Sequence, residues 1–216
     1  MAGGKSDYLE LAQLNEVLGG TAFGAPANTY VALYSASPGD AGGGTELTGG
    51  GYARATQTNN TTNWPAGNPK SNGTTISYAQ ATADWLRVYS WAVLDALSGG
   101  NFLYWGPLCG TVRPAVVNDV TNDTFFSPSH GYANDTIVRV FTHPQNALPS
   151  PLALDTRYYI ANAATDTFKL STAAGGGSIV NLTQLGFVEI APDQSIVVSS
   201  GGTASFAGSS LVVTED

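Results

Sequence analysis

The run Thr29-Tyr30-Val31-Ala32-Leu33-Tyr34 carries apolar side chains at both odd and even positions. A strand with one wet face alternates apolar and polar residues. One that is apolar on both faces belongs at the centre of a sheet. Outward from this run, Pro26 precedes it and a glycine-rich loop follows, from Ser37-Pro38-Gly39-Asp40 to Gly49-Gly50-Gly51. Extended structure resumes at Tyr52-Ala53-Arg54-Ala55. Residues 59–72, rich in Asn, Thr, Pro and Gly, read as an exposed loop that contains Trp64. Strands are predicted over residues 74–78 and 84–94, with Tyr89, Trp91 and Val93 on one side. Ser98-Gly99-Gly100-Asn101 is a hairpin signal, and Phe102-Leu103-Tyr104-Trp105 is the partner strand.

Upstream, a helix is predicted over residues 6–18. Tyr8, Leu11, Leu14 (or Leu9) and Val17/Leu18 recur at helical spacing. Ser6 suits the N-cap, Asp7 and Glu10 favour the positive end of the helix dipole, and Gly19-Gly20 stops the helix. A short amphipathic helix must cover its stripe, either on its own sheet or on a neighbouring subunit.

Downstream, residues 120–186 form a second strand–turn pattern with their own aromatics, Phe125, Phe126, Phe141, Tyr158, Tyr159 and Phe168. Short strands with glycine turns close the chain at 195–199, 203–206 and 211–214. The expectation is a mainly β protein. Its β-sandwich core, Ig-like or jelly-roll-like, takes residues 1–116 plus 187–216 with the N-terminal helix, and a small β module is inserted at 117–186. No fixed-period repeat is present, which argues against solenoids and propellers.

Charged residues are only 11% of the 216, whereas about 25% is usual for a soluble domain. Thr, Ser, Asn and 26 glycines supply the polar surface instead, a mix that favours strands and turns. The net charge of -8 repels phosphate backbones, so no nucleic-acid partner is expected. No apolar run is long enough for a membrane span. Met1-Ala2-Gly3-Gly4-Lys5-Ser6-Asp7 lacks the basic and apolar regions of a signal peptide, which implies synthesis in a cytoplasm. Cys109 is the single cysteine, so an internal disulfide is excluded. It follows a buried-looking strand and reads as a small hydrophobe.

Catalytic chemistry needs paired acids, a nucleophile with a base, or a metal cluster. The histidines, His130 and His143, have no metal-ligand spacing, and no GxSxG elbow or Walker loop is present. The glycine runs 42–44, 49–51 and 175–177 lack the Lys-Ser/Thr of a phosphate cradle and read as turns. Ser129, His130 and Asp135 make the nearest approach to a triad, but polar residues within one loop more often bond to that loop. Asp84, Asp95 and Asp123 read as turn aspartates, and no calcium loop is present. The expectation is no catalytic residue, no cofactor and no metal site. Trp85, Trp91 and Trp105 sit in predicted strands and read as core. Trp64 is a loop anchor, a subunit contact or a glycan contact.

An ordered set of segments carries a family resemblance. They are the 29–34 run, Gly49-Gly50-Gly51-Tyr52-Ala53-Arg54, Ala81-Thr82-Ala83-Asp84-Trp85 and Gly99-Gly100-Asn101-Phe102-Leu103-Tyr104-Trp105-Gly106, with the ending Phe206-Ala207-Gly208-Ser209-Ser210-Leu211-Val212-Val213. Over residues 7–112 and 187–216 the chain resembles small β-rich structural proteins of tailed bacteriophages, labelled tail fibre, minor structural or decoration proteins. That family runs almost directly from its Tyr-Trp-Gly strand to its last strands. Here the insert intervenes, and it resembles a β module that recurs in phage virion proteins. The resemblance implies a virion structural protein, acting in capsid decoration (cement) or as a head or tail fibre component. It would be made in a host bacterial cytoplasm and assemble as a symmetric homo-oligomer, most simply a trimer. Its partners would be major capsid or tail proteins. The alternative is a carbohydrate-binding receptor module for host glycan. Trp64, Tyr8 and Leu11 are the candidate subunit or glycan contacts.

Overall fold

The computed structural model describes residues 4–142 and 147–213. Residues 1–3, His143 and Thr214, which figure in the sequence reading, lie outside them. The first part of the chain forms β1 (Gly4–Lys5), α1 (Asp7–Gly19), β2 (Asn28–Ala36), β3 (Thr45–Glu46), β4 (Ala55–Thr58), β5 (Lys70–Ser71), β6 (Ile76–Ser77), β7 (Ser90–Leu94) and β8 (Phe102–Pro107). Then come β9 (Arg113–Asp119), β10 (Thr124–Phe126), β11 (Ile137–Thr142), β12 (Tyr158–Ala161), β13 (Thr167–Ser171) and β14 (Gly186–Pro192), and lastly β15 (Ser205–Phe206) and β16 (Val212–Val213). Among the described residues the protein is mainly β with one α-helix near its start. Its described residues divide into two compact units, residues 109–142 with 147–194 and residues 4–108 with 195–213.

The larger unit is built on a six-stranded sheet in the order β1-β8-β7-β2-β3, with β4 also paired to β2. β2 lies inside this sheet, as its two apolar faces require, with Val31 opposite Val93 and Leu33 opposite Trp91. Val31, Leu33, Trp91 and Val93 are buried on one side with Ile76, Trp85 and Leu211. Ala32, Tyr34, Ala92 and Leu94 are buried on the other.

The layer over the first face is not a continuous second sheet. It is made of two-stranded ribbons, β6 with β15 and β5 with β16. The segment expected as a strand at 195–199 pairs only through an isolated bridge from Ile196 to Val88. Further backbone bonds, such as Trp85 N–H to the Val198 carbonyl at 2.9 Å and Ala81 N–H to the Gly202 carbonyl at 2.8 Å, hold the returning chain, and side chains add to them. Buried Asn72 donates through Nδ2 to the Thr74 and Ala207 carbonyls, both at 2.8 Å, and its Oδ1 accepts the Leu211 N–H at 2.9 Å. Glycine is required where the backbone turns hard. Gly44 has φ +73°, and a Cβ there would stand 2.5 Å from the Ala36 carbonyl oxygen. At Gly106 a Cβ would stand 2.7 Å from the Trp91 ring.

The smaller unit is a closed six-stranded barrel, β10-β13-β12-β11-β14-β9. Alternate residues point inward, as a strand period of two dictates. They include Val117, Val140, Ile160, Leu170 and Ile190, and Phe125 stacks on Phe168 with ring centroids 5.2 Å apart. The barrel strands begin at Arg113 and run on to Pro192, beyond both ends of the 117–186 segment, because β9 and β14 pair along Gly186–Ile190.

Candidate functional site

The segments at 49–54, 81–85 and 99–106 are tied into the first unit through Tyr52, Arg54 and Trp85. The Tyr52 hydroxyl accepts the Leu33 N–H at 2.9 Å and donates to Glu46 Oε1 at 3.1 Å. Arg54 meets both oxygens of Glu46, from Nε at 2.9 Å and Nη2 at 2.7 Å. Its Nη1 donates to the Ala96 and Gly99 carbonyls in the β7–β8 hairpin. Trp85 donates its indole N–H to the Gly50 carbonyl and meets Tyr52 edge-on. Burial pushes the neighbouring Tyr34 hydroxyl up to about 12, with Glu46 adding to the effect and Arg54 opposing it.

The candidate catalytic groups are spent in the same way. Asp84 accepts the Ser200 N–H, Asp95 accepts from Asn101 at the hairpin, and Asp123 accepts the Leu182 N–H. His130 is buried. Its Nδ1 accepts the Tyr132 N–H at 2.9 Å, which leaves the proton on Nε2, 3.3 Å from the Thr167 carbonyl. Ser129 donates its backbone N–H to Asp166, and Asp135 accepts the Gly175 N–H. Ser129, His130 and Asp135 therefore serve separate turns. Among the described residues no cluster of three or more His, Cys, Asp or Glu side chains is placed to hold a metal ion.

What remains is surface. Ser6 caps α1 by accepting the Leu9 N–H, and its hydroxyl donates to the Phe102 carbonyl. Gly20 ends the helix in the left-handed conformation at φ 66°. Leu9 is buried in the core cluster with Leu103 of β8. Leu9 and Leu18 are nine residues apart, about two and a half turns at about 3.6 residues per turn, so they face opposite ways. Leu11 and Leu14 lie on the Leu18 side. These three are 59%, 57% and 82% exposed. The helix thus packs through one leucine and turns the rest of its apolar stripe to solvent.

Behind α1, on its packed side, lies an apolar cavity of about 370 Å³. Leu9, Phe23, Trp64, Leu103, Tyr104 and Val213 line it, with Lys70 also on its wall. Trp64 is only 8% exposed and donates its indole N–H to Thr29 Oγ1 at 3.1 Å. An Asn60 turn fixes its loop by accepting the Thr62 and Asn63 N–H groups. Of the three candidate contact residues, Tyr8 and Leu11 are exposed while Trp64 lines the cavity wall. The cavity draws on residues far apart in sequence, so spacing gave no signal for it.

The barrel has an apolar feature of its own. Phe126 and Phe187 both pair with Val116 across β9. Their side chains point outward and are 41% and 52% exposed. At about 4.8 Å between strands, they stand roughly 10 Å apart with Val116 between them. Phe187 was not singled out by sequence, because its meeting with Phe126 depends on strand register. Cys109 is partly buried, and burial pushes its thiol up to about 11.

A protein-family model described as Podophage GP4 fiber I protein gp80 matches residues 4–126. No curated protein matches the chain.

Proposed function

This chain belongs to the family of the podophage GP4 fiber I protein gp80, and from that premise we propose that it is a subunit of a virion fibre that assembles as a symmetric homo-oligomer, most simply a trimer. The observation that carries the oligomer is the solvent-facing Leu11-Leu14-Leu18 stripe on a helix whose two ends are firmly capped. An exposed apolar row on an ordered helix marks a docking face. Tyr8 and Leu11 belong to that face, and Trp64 stiffens the wall of the adjoining cavity. The action is mechanical, since the candidate acids, His130 and Ser129 are used in turns.

The position on the particle is tested by imaging virions with and without the protein. Density lost from the tail region is the expected result. Density lost over the capsid, with particles that burst at lower temperature, places the protein as a capsid cement instead.

A second reading has one observation in its favour. The Phe126-Val116-Phe187 row gives the barrel a flat aromatic face of the kind that stacks on sugars, and it supports a carbohydrate-binding role for the insert in host attachment. A glycan array probed with the protein and with Phe126→Ala/Phe187→Ala tests it. Signal that vanishes in the variant is expected, and a blank array overturns this reading.

A further inference from the structure

We propose that the Leu11-Leu14-Leu18 stripe of α1 docks into the apolar cavity beside Trp64 on a second copy of the same chain, an inference that rests on the oligomeric fibre-subunit reading. Geometry decides that the contact is between copies. Leu9 lines the cavity from one face of α1 while the stripe lies on the opposite face, so a helix cannot turn its stripe into its own cavity.

Size fits. A cavity of about 150 Å³ lined by aliphatic side chains already accepts a benzene, and this one measures about 370 Å³. It has room for more than one leucine side chain.

Charge selects the same occupant. Asp7 and Glu10 flank the stripe, and α1 carries no basic residue. Two stripes packed in parallel would oppose like carboxylates at close range, and packed antiparallel they would offer those carboxylates no cation, since neither helix has one. The cavity wall instead offers Lys70 to an incoming acidic helix. Stripe and cavity are different patches of one surface, so the contact is heterologous. It closes as a ring or as a reciprocal exchange between two copies.

The test uses the full chain and sedimentation. Leu14→Asp/Leu18→Asp spoils the stripe at exposed positions. Ala25→Asp/Lys70→Glu spoils the rim of the cavity. Each variant alone should sediment as a single chain, with association weakened about thirtyfold or more. Mixed in equal amounts they should form a dimer, because one keeps an intact cavity and the other an intact stripe. Glu10→Lys should weaken association, and adding Lys70→Glu to it should restore association, a readout that does not depend on the leucines. Stripe-to-stripe packing predicts a cavity variant that associates by itself as the wild type does and a mixture that forms no species beyond those of the two variants alone, which overturns the proposal. Wild-type oligomers that survive both sets of changes overturn the docking while leaving the fibre-subunit reading standing. A monomeric wild type overturns both.

Discussion

Arg54 grips Glu46 with two N–H groups, at 2.9 and 2.7 Å, while its third nitrogen spans to the β7–β8 hairpin. The Arg54 side chain is 8% exposed, so this pair is largely dry. Arg54→Ala leaves a shielded carboxylate and two hairpin carbonyls without their partner. A loss of about 3 kcal/mol is expected. Arg54→Lys keeps the charge but not the fork, and should fall between. Urea unfolding of the full chain reads both.

The tyrosines around that pair predict alkaline instability. Tyr34 is pushed up to about 12, and burial also raises Tyr52 and Tyr78. The folded state therefore holds protons that unfolded tyrosine, with its ordinary value of 10.0, has released. This stabilisation is whole below pH 10 and is lost as pH climbs from 10 towards 12. The melting temperature should fall over that window, with tyrosinate absorbance rising as the chain unfolds. Full tyrosinate absorbance near pH 10 in a chain that is still folded would contradict this.

In the barrel, Arg139 is fully buried. It faces Asp155 at 3.2 Å and Asp193 at 3.0 Å, while Arg157 holds the other oxygen of Asp193 at 2.7 Å. Such a set is costly to break from one side. Arg139→Ala should destabilise the barrel by about 3–5 kcal/mol. The measurement is hydrogen exchange at β11 and β14, where protection should drop.

Cys109 should be inert in the folded protein. Burial raises its thiol to about 11, Asp193 and Glu189 add to this, and Arg139 opposes it. At pH 8 a thiol reagent should label it slowly, and quickly once urea is added. Equal rates in both conditions would show that the site is open.

Much of this fold was readable because the signals were local. The 6–18 periodicity with Ser6 and Gly19-Gly20 marks α1, and the apolar run at 29–34 marks a central strand. Ser98-Gly99-Gly100-Asn101 marks the hairpin between β7 and β8. Features set by pairing between distant segments were not readable. The periodicity of α1 names its leucines but not which of them packs, and Leu9 alone does so because β8 lies on its side. Trp64 sits in a polar loop by sequence, yet Thr29 draws its indole into the wall of a cavity. The Phe126-Phe187 row exists only because both residues fall opposite Val116.

The central claim is that this chain works by binding its own copies. Sedimentation of the purified, full-length protein over a concentration series into the tens of micromolar tests it most directly. The account predicts one defined species at a whole-number multiple, two or more, of 22.3 kDa. A single species at 22.3 kDa throughout would contradict it.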